Sequence, residues 1–140
     1  MSPSDAQIRQ ILETASTIAI VGLSDRPDRD SYQVAEYLQA HGYRVIPVNP
    51  TVDAVLGEQS YARVADIPEM IDIVDVFRRP DSAVEVVADA IEAGARVVWM
   101  QLGVVNQEAA RMAEAAGLQV VMDRCIKIEH RRLLGQDPPA

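Results

Sequence analysis

Apolar residues are arranged along this chain in two alternating ways. Short, mostly apolar runs rich in β-branched residues occur at 17–21, 43–48, 73–77, 96–100 and 118–122, the pattern of strands buried on both faces of a parallel sheet. Before and between them, apolar residues recur at helical spacing. Ser4-Asp5 caps a first helix in which Ile8, Ile11, Leu12 and Ala15 form one stripe. Segment 31–41 carries Val34, Ala35 and Leu38 on one face and stops at Gly42, and 66–71 reads as a short helical turn. Pro80 suits the start of a helix whose Val84, Val87, Ala88 and Ile91 share a face, and Asn106 caps an alanine-rich helix that ends at Gly117.

Strands alternating with helices at intervals of roughly 25–30 residues predict a three-layer, doubly wound α/β fold, a parallel sheet of about five strands with right-handed crossovers. No repeat, linker or low-complexity segment divides the chain. Residues 1–140 are therefore read as one domain, long enough to bury a core without disulfides or metals. The charged tail from about residue 130, closed by Pro138-Pro139, is expected to pack loosely. For the five strands we expect the Rossmann order 3-2-1-4-5, which sets the loops after the first and fourth strands face to face. The flavodoxin-like order 2-1-3-4-5 separates those loops differently, and periodicity alone does not exclude it.

In such a sheet ligands bind outside the carboxyl ends of the strands, and the unusual residues of this chain gather there. Gly22-Leu23-Ser24 follows the first run, Asn49-Pro50 the second, Phe77-Arg78-Arg79 the third, Gln101-Leu102-Gly103 the fourth and Asp123-Arg124-Cys125 the fifth. One patch per β-α unit points to a nucleotide-like ligand laid across one rim. A net charge of −8 disfavours nucleic acid and anionic membranes as partners, so any anion has to be held locally. Twelve of the thirteen cations are arginines, and Arg26, Arg29, Arg78, Arg79 and Arg124 fall in the rim segments. The guanidinium fork suits phosphate, although exposed arginines also serve solubility. The single cysteine, Cys125, excludes an internal disulfide and fits a reducing compartment. With no charged-then-apolar leader and no apolar run approaching the ~18 residues of a membrane span, the chain is read as cytoplasmic.

The dinucleotide fingerprint G-x-G-x-x-G supplies a tight turn, close approach of the pyrophosphate and close helix packing. Here the loop from Gly22 to Ser31 contains only that first glycine, and the acid that binds the ribose after strand two is replaced by Asn49-Pro50. Ordinary NAD binding is therefore disfavoured, whereas a phosphate at the first crossover helix is not.

Four segments together, Val45-Ile46-Pro47-Val48-Asn49-Pro50, Ile73-Val74-Asp75-Val76-Phe77-Arg78-Arg79, Val98-Trp99-Met100-Gln101-Leu102-Gly103-Val104 and 121–129, resemble the small stand-alone CoA-binding proteins. These are similar in turn to the N-terminal CoA-binding domain of the succinyl-CoA synthetase α-subunit and of related acyl-CoA synthetases. The resemblance covers nearly the whole chain. It implies a Rossmann-type domain that holds coenzyme A at the strand-end rim. Gly22 and Ser24 then match the loop beneath the phosphates, and Asn49-Pro50 match the second loop. Phe77 and Arg78 match the third, and Gln101, Leu102 and Gly103 the loop that contacts nucleotide or pantetheine. Val52 stands where the synthetases carry a lysine, so phosphate falls to Arg26, Arg29, Arg78 or Arg79. The phosphorylated histidine of the synthetases belongs to another domain, absent here.

Each of these residues also has a plainer reading. Gly22 serves any turn, Asn49-Pro50 initiates turns, and a strand-end Phe77 packs in a core as readily as it contacts adenine. Arg78-Arg79 at a helix start oppose the helix dipole, which favours an anion beside them. Trp99 reads as core, His41 as a helix end and His130 as solvated; neither histidine has metal-ligand spacing, and no metal site is expected. Cys125 has no histidine or acid placed to activate it. The expectation is a non-catalytic module that binds CoA, an acyl-CoA or another CoA derivative. The alternatives are a small acyl- or thiol-handling enzyme using Cys125, and a nicotinamide-nucleotide sensor.

Overall fold

The computed structural model of the protein describes residues 2–135. Its centre is a parallel sheet of β1 (Thr17–Val21), β2 (Arg44–Val48), β5 (Ile73–Val76), β6 (Val97–Met100) and β7 (Gln119–Val121), while β3 (Ala54–Val55) and β4 (Glu58–Gln59) form a separate hairpin. Side chains alternate along each central strand. Ile18, Ile20, Ile73, Val97 and Trp99 face α1 (Asp5–Thr14), α2 (Asp30–Ala40) and α5 (Ile126–Leu134). Ala19, Val21, Val74, Val76, Val98 and Met100 face α3 (Ala83–Glu92) and α4 (Gln107–Ala115). These two cores make the three-layer, doubly wound fold that the pattern predicts.

The strand order needs correction. The sheet runs β2-β1-β5-β6-β7, which for five strands in chain order is 2-1-3-4-5 and not 3-2-1-4-5. The run at 73–76 lies beside β1, not outside β2. The reason is Tyr61, which makes a single parallel bridge to Val48, donating its N–H to Pro47 O at 3.0 Å and accepting from Asn49 N at 2.9 Å. One residue thus fills the place of a third strand on the outer edge of β2. Counted with that rudiment, the order is 3-2-1-4-5-6, and the connectivity is of Rossmann type. Pro47 fits this strand because its missing N–H faces the edge, not β1. The switch point consequently falls between β1 and β5, and the Gln101 loop stands one strand further out.

Helix ends follow the sequence closely. Ser4 and Gln7 form a reciprocal capping box, and Asn106 Oδ1 accepts from Ala109 N at 2.9 Å. The helical turn expected at 66–71 is a 3-10 turn at Val64–Asp66. In α3 the inward residues are Ala83, Val87 and Ala90, and Ala88 is exposed. The larger departure is the tail. It continues as α5 to Leu134, with Ile126 fully buried and Arg132 bridging Glu129 and Asp5 of α1. His130 is a core residue and not a solvated one, its Nδ1 2.8 Å from the Tyr37 hydroxyl. Pro138-Pro139 lie outside the described residues. Among the described residues, no helix is long and apolar enough to cross a membrane.

One core residue breaks the apolar character of its run. Asp75, in register between Ile20 and Trp99 in the middle of the sheet, is fully buried, and neither carboxylate oxygen has a hydrogen-bond partner among the described residues. Burial pushes its carboxyl well above the ordinary carboxylate range. Trp99, its neighbour, donates instead to Arg124 O at 2.8 Å.

Candidate functional site

At the carboxyl edge of β1 the chain turns at Gly22, which has φ +90°. Its N–H donates to Val48 O, and Phe77 N–H donates to Val21 O, each at 2.8 Å. Three loops meet here, and a side chain on residue 22 would collide with the Phe77 carbonyl. Leu23 turns fully into the core; only its carbonyl serves the rim, accepting from Asn49 Nδ2 at 3.0 Å. Ser24 N–H donates to Ser31 Oγ at 3.0 Å, and Ser24 Oγ accepts from Arg26 N at 3.1 Å, which pins the long first loop to the opening turn of α2. Arg29 is the N-cap residue of α2 but makes no side-chain cap. A cleft of about 470 Å³ opens over this loop, bordered by Arg26, Arg29, Asp28, Asp30 and Phe77. Its acids balance its cations.

Asn49 is committed to structure. Besides its bond to Leu23, its Oδ1 accepts from both Thr51 N and Thr51 Oγ1, at 3.0 and 2.7 Å. It clamps the second loop to the first, and neither it nor the exposed Pro50 lines the clefts described here. Val52 packs against the core.

A larger hollow, about 840 Å³, lies where the loop after β5 meets α2, α5 and the loop after β6. Phe77, Arg78 and Arg79 form one side, Gln101, Leu102 and Gly103 another. From the helices come Asp30, Gln33, Lys127 and Arg131, which the sequence reading missed. Four cations therefore border it against one acid. Arg78 and Arg79 are exposed and, among the described residues, have no carboxylate within ion-pair distance, whereas Arg44, Arg63, Arg124 and Arg132 are all paired. Lys127 and Arg131 rest over the Tyr37 ring, 5.6 and 5.5 Å from its centroid.

Within this wall the residues divide their work. Gln101 is buried, and its Oε1 accepts from Ile126 N at 3.0 Å, fixing the start of α5 and with it Lys127. Leu102 is exposed. Gly103 has φ +86° and donates its N–H to Asp123 Oδ1 at 2.8 Å. A Cβ at Gly103 would meet nothing within 4 Å, so within the protein its glycine answers a backbone conformation and not a close approach of neighbouring residues. The Cys125 thiol borders the same hollow, yet among the described residues no group hydrogen-bonds to it. Arg124, the cation beside it in sequence, is held by Glu129 at 2.9 Å. Among the described residues no three His, Cys, Asp or Glu side chains are grouped to hold a metal ion.

A third cleft, about 490 Å³, lies on the α3 side of the sheet over Val21, Val48 and Val64. Arg78 borders both it and the large hollow, and Phe77 and Asp30 border both the large hollow and the cleft over the first loop. The three clefts thus adjoin one another around the switch point.

Residues 16–131 match the family described as CoA binding domain. The chain is 46% identical over 129 residues to the uncharacterized protein YneT of Bacillus subtilis strain 168, covering 92% of this chain and 96% of that one. The structure of a hypothetical protein from Pyrococcus horikoshii OT3 superposes with a TM-score of 0.93 at 47% identity, over 95% of this chain and 94% of the other. The apo form of a dinucleotide-forming acetyl-coenzyme A synthetase 1 from Ca. Korarchaeum cryptofilum matches 77% of this chain with 26% of its own length, at TM-score 0.68 and 26% identity.

Proposed function

The chain belongs to the CoA binding domain family, and from that premise we propose that it is a cytoplasmic, single-domain module that binds coenzyme A or an acyl derivative without performing chemistry on it. One observation carries the reading. In a chain of net charge −8, four cations against one acid border the large hollow at the switch point, and two of them, Arg78 and Arg79, have no ion-pair partner among the described residues. Unpaired arginines at a helix start are disfavoured by the dipole and favoured by a phosphate. The nucleoside then lies over the apolar floor of Val21, Val48 and Val64, the phosphates reach Arg78, Arg79 and the loop of Gly22, Ser24, Arg26 and Arg29, and pantetheine runs towards Gln101, Leu102 and Gly103. Asn49, Pro50 and Leu23 support this path from beneath through the loop they hold together.

Calorimetric titration tests it. CoA is expected to bind more tightly than dephospho-CoA or NAD, with the margin over dephospho-CoA shrinking as salt rises. Arg78→Ala and Arg79→Ala should each weaken CoA by ~1.5–3 kcal/mol, the worth of a charge-assisted hydrogen bond to phosphate. Both variants should keep the wild-type unfolding temperature. Tighter binding of NAD would instead favour a nicotinamide-nucleotide sensor.

The place of Cys125 on the hollow supports one competing reading, a thiol that accepts acyl groups. Among the described residues no group hydrogen-bonds to its thiol, and the neighbouring guanidinium is engaged by Glu129. Cys125→Ser is accordingly expected to bind CoA like the parent, and neither protein should turn over acetyl-CoA. A covalent acyl adduct on Cys125, seen by intact-protein mass spectrometry, would reverse that assignment.

A further inference from the structure

Three of the four large apolar side chains left exposed among the described residues stand beside the proposed CoA cleft: Leu102 at 66%, Val105 at 45% and Ile128 at 55% exposure. With Met122 and the polar Ser2, Gln107, Asp123, Arg124 and Glu129 they border a second hollow of about 490 Å³, which meets the large one along Leu102, Cys125 and Ile128. Charges at this second hollow are answered within the protein. Arg124 is held by Glu129, and Asp123 accepts the Gly103 N–H. The rim therefore changes along its length, from four cations to a shelf, continuous with them, on which three exposed apolar side chains stand among polar neighbours. That polarity fits an amphiphile, anionic at one end and hydrocarbon at the other. Free CoA ends in a small thiol, which gains little from such a shelf.

The geometry points to fatty-acyl thioesters of CoA as the preferred ligands, with the acyl chain lying over Leu102, Val105 and Ile128 beyond Cys125. This assignment rests on the CoA reading of the cleft and adds the chemistry of the tail. Where about half the surface of each methylene is covered, affinity rises roughly twofold per methylene, so octanoyl-CoA should bind on the order of 50-fold more tightly than acetyl-CoA.

Titration of the full chain with CoA, acetyl-CoA, hexanoyl-CoA and octanoyl-CoA reads that gradient directly. Val105 borders only the shelf, so Val105→Asp is expected to lower octanoyl-CoA affinity at least tenfold and to leave free CoA within twofold. Leu102→Ser should flatten the gradient as well, whatever it does to CoA itself. Equal affinities for CoA and octanoyl-CoA in the parent protein would overturn the acyl assignment while leaving the CoA reading intact. So would a gradient indifferent to Val105→Asp, which would place the chain elsewhere. Failure of every CoA compound to bind would instead overturn the reading of the cleft, and the acyl assignment with it. Sedimentation supplies the last outcome: a dimer that Val105→Asp dissociates, without any chain-length gradient, would mean that the shelf is covered by a second copy of the chain.

Discussion

Gly22→Ala should lower stability by ~2–5 kcal/mol, the largest loss expected from one methyl group on the rim. Two costs add. An alanine held at φ +90° is strained by roughly 1–2 kcal/mol, and its Cβ would overlap the Phe77 carbonyl, lying 3.1 Å from the carbonyl carbon. These are main-chain atoms of the adjoining loop, so relief requires the ends of β1 and β5 to part, an overpacking cost of about 1–3 kcal/mol. For a domain of this size the unfolding temperature should fall by roughly 6–15 °C. Gly103→Ala is the matched control, because its φ is similarly positive at +86° but its surroundings are open; a loss of about 1 kcal/mol is expected there. Thermal unfolding of the two variants side by side decides the matter. Equal shifts would mean that the loops at the switch point are not in contact as described.

Asp75→Val should act in the opposite sense, raising stability by ~2–4 kcal/mol at neutral pH and above, about 6–12 °C in Tm, since it replaces a buried carboxyl without partners by an apolar β-branched side chain. The pH dependence identifies the cause. The folded pKa of Asp75 lies above its unfolded value, so the native state holds a proton that the unfolded chain releases. Its contribution is therefore most favourable below about pH 4 and is lost as pH rises towards the folded pKa. His130 runs the other way: burial and nearby His41 lower its pKa, so stability falls as pH drops below about 6.5 towards the folded value. Asp5 and Glu69, held below the ordinary range by Arg132 and Arg44, lose their contribution only at more acid pH, below about 4. Urea unfolding from pH 4 to 9 should show the variant's advantage over the parent widening as pH rises from about 4 and then levelling off, with the acid-side decline of His130 kept in both. A variant less stable than the parent at pH 8 would show that the carboxylate is solvated or paired in solution.

What the sequence made legible follows from how local each signal is. The five central strands announce themselves as β-branched runs, and Ser4 and Asn106 as caps, because burial on both faces and capping are decided within a few residues. Strand order is not local. Whether 73–76 lies outside β2 or beside β1 depended on Tyr61, a single residue bridged to Val48 and set in no apolar run. The tail was misread for a different reason. Its spacing of Ile126, His130, Leu133 and Leu134 is that of a helix face, but Glu129 and His130 look solvated until Arg124, Arg132 and Tyr37 are brought to them by the fold. With α5 went Lys127 and Arg131, half the cations of the large hollow. Arg78, Arg79 and the Gln101 loop were found because strand ends mark the rim of any such sheet. Leu23 and Asn49 stand at the same rim, yet their side chains are engaged in the core and the loop clamp.

The single bridge at Tyr61 bears also on how the chain behaves when crowded with its own copies. An uncovered sheet edge is a template on which another extended chain can add. On the β2 side, Tyr61 occupies the edge, Pro47 offers no donor there, and Arg44 is bound by Glu58 and Glu69, so that charge stands at the start of the strand. On the other side, β7 offers only three residues and begins at the exposed Gln119. Both margins are poor seeds for cross-chain pairing. A sheet built largely of valine and isoleucine therefore offers a second chain little backbone to pair with, so long as the stretch from 49 to 61 stays folded against β2.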